Sequence, residues 1–224
     1  FTIHHSKFDS LFPDSFENSE LGEIPKGWEV QSLDEIADFL NGLACQKFPV
    51  VDGELSLPVI KICELRNGIS DNTDQATPNV PAKYLVNDGD VLFSWPGSLL
   101  VDVWTSGQGV LNQHVFKVTS LEYPKWFFYY WTSHHLHWFQ RIAADKATTM
   151  GHIKRHHLSD AKMVVPPTAV MDAANEQIAL LFDSRFENDI QSSKLSCLRD
   201  TLLPKLISGE LPIPDAEKLL EGVK

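Results

Sequence analysis

The chain has 224 residues, 43% of them hydrophobic, enough for a sizeable core in one large domain or in a domain with an appendage. No run of eighteen apolar residues and no leader pattern appears, so neither a membrane span nor a signal peptide is expected. The formal charge of −11 argues against a nucleic-acid partner only until it is divided by segment. Residues 1–40 carry 2 basic and 9 acidic groups, residues 41–170 carry 11 and 11, and residues 171–224 carry 6 and 10. The acidity lies in the flanks, and phosphate responds to the local field more than to the total. Phe1 in first place suggests a piece of something longer. Cys45, Cys63 and Cys197 are odd in number, far apart and without metal-ligand spacing, which points to reduced thiols and a cytoplasmic setting.

In chain order, the opening residues up to about 20 have Pro, Gly and Ser punctuation with little periodicity and read as a linker. At "SLDEIADFLNG", Ser32 with Glu35 three positions on is a capping-box pattern, Ile36 and Leu40 fall on one helical face, and Gly42 ends it, which predicts a short helix. The stretches "LPVIKICEL", "YLVNDGDVLFSW", "LLVDVWT" and "VLNQHVFKVT" are short apolar runs broken by Gly, Asn and Asp, with Asp88-Gly89 as a turn. They predict a β-rich body of mixed topology.

From Trp126 to Ile142 the sequence is aromatic on most sides and free of glycine, which predicts a helix packed against the sheet, its rings in the core and not stacked on bases. "ATTMGHIKRHHLSDAKMVVPP" follows as a basic loop around Gly151, a short strand, and a stop at Pro166-Pro167. Arg141, Lys146, Lys154, Arg155 and Lys162 oppose only Asp145 and Asp160 across this region. From about Ala173 to Leu203 nothing interrupts a helical pattern, giving a rod of roughly 46 Å at about 1.5 Å per residue, which Pro204 must end or kink. A heptad column aligns Leu181, Asn188, Leu195 and Leu202, with Ile178 and Leu198 beside it, and a second row of Phe182, Phe186 and Ile190 winds toward the body. No second helix in the chain is free to cover that seam, so its partner is expected on another chain or on a missing portion of this one.

The phrases "SELGEIPKGWEV", "GVLNQHVFKV", "TTMGHIKRHHL" and "LRDTLLPKLISGEL", in this order, resemble the specificity subunits of type I restriction-modification systems over about Leu21 to Leu211. The resemblance implies an α+β fold: a globular, mixed β-rich target recognition domain followed by a long C-terminal helix that pairs antiparallel with another such helix. The implied division is linker 1–20, target recognition domain 21–170, long spacer and dimerisation helix 171–211 and tail 212–224. With one domain and one helix, the chain looks like half of such a subunit: a C-terminal half, or a short half that dimerises with itself. The implied function is sequence-specific reading of one half of a bipartite site in double-stranded DNA, without catalysis. The implied partners are methyltransferase subunits and, through the complex, a translocase-nuclease subunit. S-adenosylmethionine, ATP and Mg are expected on those partners and no cofactor in this chain.

Base readout needs forked donors and amides, with basic groups on flanking phosphates. Lys61, Arg66 and Asn67 at the end of the first long strand, and Lys154 with Arg155 in the basic loop, are the candidates, with Thr148, Thr149 and His152 as shorter hydrogen-bonding groups. Trp95 in "FSWPGS" is a candidate wedge or stacking group, turn packing being the other reading. Asn112, Gln113 and His114 read as fold-shaping polar groups. His134 and His137, one helical turn apart, with His156 and His157, invite a metal reading, but no third ligand or acid-base partner stands at suitable spacing, and no metal is expected. No phosphate loop, dinucleotide fingerprint or nucleophile elbow is present. The rival to a DNA reader is a structural adaptor that dimerises through its helix.

Overall fold

The computed structural model describes residues 11–145 and 151–210. Strands β1 (Phe16–Ser19) and β2 (Gly22–Pro25) form an antiparallel hairpin, closed by a left-handed Gly22 and by the Ser19 hydroxyl donating to the Gly22 carbonyl at 2.8 Å. The last residues of the expected linker are therefore paired strand. Their lack of periodicity has a simple cause: Phe16 is 64% exposed, so no buried face imposes alternation.

Strand β3 (Glu29–Ser32) leads into α1 (Leu33–Ile36), started by the expected capping box, in which the Ser32 N–H donates to the Glu35 carboxylate at 2.6 Å. The Ser32 hydroxyl and N–H together hold that carboxyl below its usual range. The helix is shorter than the sequence pattern implies. Ala37 is already extended, and Asp38–Asn41 is strand β4, because Phe39 enters the core against Phe93 and Phe116 while β11 (Val115–Thr119) offers its open edge.

The body has two four-stranded sheets. One runs β4, β11, β8 (Val91–Ser94), β9 (Leu100–Val103), antiparallel throughout. The other runs β6 (Gln75–Ala76), β5 (Leu57–Ile60), β10 (Gly109–Leu111), β7 (Leu85–Val86), and only its β5–β10 pair is parallel. This is the mixed β-rich body that the broken apolar runs predict. Asp88-Gly89 does turn the chain, with Gly89 left-handed, but it passes the chain from one sheet to the other and makes no hairpin.

Strand β8 explains why these runs are apolar without alternation. Val91 and Phe93 face one cluster, shared with Phe39 and Phe139, whereas Leu92 faces a second, shared with Ile60, Leu65 and Trp104. A strand buried on both faces reads as a continuous apolar run.

The segment after β5 is a correction. Ile62–Asn67 is a short helix, α2, and not a continuation of the strand. Leu65 packs inward and Glu64 is buried, its carboxylate accepting the Lys61 N–H at 3.1 Å and the Cys63 thiol at 2.9 Å; left-handed Gly68 ends the turn. Arg66 and Asn67 are left exposed on the outer side.

Helix α3 (Lys125–Asp145) buries Trp126, Phe127, Phe128, Tyr129 and Phe139 and packs on β9, so its aromatics are core as the helical spacing predicts. A short helix α4 (His156–Asp160) interrupts the expected basic loop, and β12 (Lys162–Val165) then pairs antiparallel with β3.

Helix α5 runs from Thr168 to Ile207, 40 residues, or about 60 Å at about 1.5 Å each. It begins earlier and ends later than the sequence pattern suggests, with Pro204 inside its last turn. The missing Pro204 N–H deprives only the carbonyl of exposed Asp200, which water can satisfy, so the usual interior penalty is softened. Its first half is docked: Phe182 and Phe186 meet Tyr129 at ring separations of 5.4 and 5.9 Å, and Asn175 accepts the Trp126 indole N–H at 2.8 Å. From Glu187 to Glu210 no residue is buried. The predicted seam divides accordingly. Ile178 packs against the body's core, Asn188 is exposed, and Leu181 and Leu195 stand 72% and 61% exposed. Leu198 and Leu202 are half-buried, and exposed Leu180, Leu203 and Ile207 widen the open apolar surface.

Candidate nucleic-acid interface

Four segments far apart in sequence meet on one face. Helix α2 and its cap bring Lys61, Arg66 and Asn67; the turn after β8 brings Trp95 and Ser98; the turn between β10 and β11 brings Asn112 and His114; the segment after α3 brings Gly151 and His152. Arg66 and Asn67 share a groove of about 410 Å³ with Ser98, Asn112 and His114, and Arg66 also lines a neighbouring hollow of about 370 Å³ that reaches Gly97, Gln140 and Gly151.

The segments are sewn together by backbone. Gly97 N–H donates to Gly151 O at 2.7 Å, Ile153 N–H donates to Trp95 O at 3.1 Å, and Pro96 and His152 form a bridge. Gly151 must be glycine, since a β-carbon there would collide with the carbonyl of Ala143 at the end of α3. The basic segment is thus held against α3 and the Trp95 turn by its closest approach.

Both readings of Trp95 meet in its geometry. Its ring packs on Phe116 at 6.1 Å and its N–H donates to the Asn41 side chain at 3.0 Å, yet it remains half-buried, with the rings of His114 and His152 standing edge-on at 5.9 and 6.1 Å. It forms a floor between two imidazoles.

Asn112 has the fold-shaping role expected of it: it is 5% exposed and its side chain accepts the His114 N–H at 3.2 Å. His114 does not share that role, being exposed and in the groove with Arg66. Its phrase reads in sequence as a structural motif, and the signal for its exposure is a polar Asn-Gln-His turn between two apolar runs.

The cations differ in availability. Lys61 is engaged by Asp74 at 2.8 Å, an attachment that raises its pKa first through that hydrogen bond. Among the described residues Arg66 and Lys154 form no ion pair, and both are exposed. Arg155, also exposed, is placed differently. Its guanidinium donates to Phe39 O at 3.1 Å and lies 5.7 Å from the Phe116 ring centre, because the turn into α4 directs it back over the sheet. Thr148 and Thr149 lie outside the described residues.

Among the described residues no three potential ligands cluster as a metal site. His134 and His137 are exposed on α3, whereas burial pushes the His135 imidazole down, followed by the effect of neighbouring His134. No described helix is long and apolar enough to cross a membrane. A larger cavity, about 700 Å³, lies at the root of α5 and presents Glu29, Glu122 and Asp172 without a basic side chain, so it is unsuited to phosphate.

The sequence model of the type I restriction modification DNA specificity domain matches residues 25–196. Similar proteins are the type I restriction enzyme MjaIX specificity subunit of Methanocaldococcus jannaschii, 25% identical over 88% of this chain and 48% of that protein. The EcoBI specificity subunit of Escherichia coli is 25% identical over 90% of this chain and 43% of that protein. A crystal structure of a type I restriction-modification S subunit from M. genitalium is 17% identical, with a TM-score of 0.48 over 81% of this chain and 46% of that one. The chain spans about half the length of the curated relatives it matches. On a match that takes in most of its residues, the chain belongs to the type I restriction modification DNA specificity domain family.

Proposed function

We propose that the chain reads one half of a bipartite site in double-stranded DNA and performs no covalent chemistry itself. The observation that carries this is the convergence on one face of a cation, an amide and two imidazoles: Arg66, Asn67 and His114 in one groove, with His152 across the Trp95 ring from His114. Such a face offers both kinds of contact that sequence reading needs. A helix is about 10–12 Å across with its side chains, which a major groove about 12 Å wide admits, and α2 presents its exposed end there. There Arg66 matches the paired acceptors of guanine and Asn67 the donor-acceptor pair of adenine, while Lys154 sits on a flanking phosphate.

In the same reading, residues 21–170 act as the target recognition domain and 171–211 as the spacer. The open stripe of α5 pairs antiparallel with the helix of a second half, which sets the distance between half-sites. Methyltransferase subunits dock on this assembly and flip the adenine, a translocase-nuclease subunit joins through the complex, and S-adenosylmethionine, ATP and Mg belong to those partners. The setting is cytoplasmic.

The test is salt-dependent binding of a selected duplex. Lys154→Ala is expected to weaken selected and scrambled duplexes alike and to reduce the slope of log K against log salt by about 0.9, the value for one phosphate contact. An unchanged slope would remove Lys154 from the interface.

A further inference from the structure

Trp95 is held by a chain of contacts that ends in two residues with no place on the groove itself. Asn41, Phe116 and Phe93 form a cross-strand row, Asn41 opposite Phe116 on β4 and β11, and Phe116 opposite Phe93 on β11 and β8. Directly opposed residues point to the same face, so this row is a platform. The indole lies on Phe116 in the middle of this row, tilted 34° at 6.1 Å, and its N–H is taken up by Asn41 at the end of the row. Phe116 in turn carries the Arg155 guanidinium, which is tied to Phe39 O; Phe39 packs edge-on against Phe116 at 5.9 Å. That hydrogen bond and the Phe116 face hold the guanidinium over the sheet.

Resting on the reading of this face as a DNA contact, we propose that Asn41 and Arg155 are positioning residues. They lock the orientation of Trp95, so that the His114 and His152 rings flank a rigid floor, and sequence preference, more than overall affinity, depends on them. Imidazoles carry one donor and one acceptor whose direction follows the ring plane, so a rotated floor redirects what they offer to base edges while leaving phosphate contacts in place.

Two readouts on the full chain test this. In the first, the Trp95 indole N–H resonance of the ¹⁵N-labelled protein is identified among those of the six tryptophans by its loss in Trp95→Phe. It is expected to move in Asn41→Leu and in Arg155→Ala but to stay in Asn41→Asp, which keeps the acceptor, while the other indole signals report an intact fold. A Trp95 signal unmoved by Arg155→Ala overturns the lock, and should that variant not fold, Asn41→Leu against Asn41→Asp makes the same comparison.

In the second, affinities for selected and scrambled duplexes are measured across a salt series. Asn41→Leu and Arg155→Ala are expected to lower the ratio of the two affinities about tenfold, the scale of one base contact, with the salt slope unchanged. A preserved ratio with a slope reduced by about 0.9 would make Arg155 a phosphate contact and overturn the proposal. If the unaltered chain prefers no sequence, the DNA reading and the dependence of preference on these residues both fail, while the indole shifts still decide whether the lock exists.

Discussion

Leu195→Asp together with Leu198→Asp is expected to abolish self-association of the chain while leaving its globular body folded. Neither residue is buried in the single chain, Leu195 being 61% exposed, so the body loses nothing by the exchange. At a paired seam each unpartnered carboxylate costs several kcal/mol, and a symmetric pair of helices holds four of them, so association falls by more than about a thousandfold. Light scattering is expected to give the dimer mass for the unaltered chain and the monomer mass for the variant. Dimers that persist would place the seam on another face of α5.

Gly42→Ala is expected to lower stability by about 3 kcal/mol or more, because its added carbon would land on the carbonyls of Leu111 and Asn112, backbone that no rotamer change can clear. For a domain of this size that is a fall in Tm of roughly 6–12 °C. Gly22→Ala, whose new carbon meets nothing, costs only the left-handed backbone, about 1–2 kcal/mol. Gly42 also anchors the turn that carries His114, through its own N–H to Val115 O at 3.2 Å and the Leu43 N–H to Leu111 O at 2.9 Å. DNA affinity should therefore fall beyond what the unfolded fraction explains. Calorimetry of the two variants, followed by binding well below their Tm, separates the effects; equal stability of the two would show that the turn yields easily.

The parts of this fold legible in the sequence are those where local pattern and burial agree. The aromatic stretch of α3 has helical spacing and a deep site, and the runs of β8 and β11 are apolar because both faces are covered. The misreadings arise where tertiary contact decides. Residues after Ile36 keep a helical pattern, but Phe39 is claimed by the core and the backbone by β11. "IKICEL" looks like one strand, and only Glu64 capping Lys61 and Gly68 closing the turn mark α2 as a helix. Charge and residue type are enough to suggest Arg66, Lys154 and His152 as candidates. They cannot say that Arg155 turns back onto Phe116, nor that His114 turns outward, since adjacent residues differ in direction by packing alone.

The central claim is that this one chain reads DNA sequence. Selection of duplexes from a randomised library by the purified chain, at moderate salt and with and without a type I methyltransferase subunit, tests it directly. The account predicts enrichment of a short motif of a few base pairs, lost on Arg66→Ala. No enrichment under either condition would contradict it and leave the chain an assembly module built around its long helix.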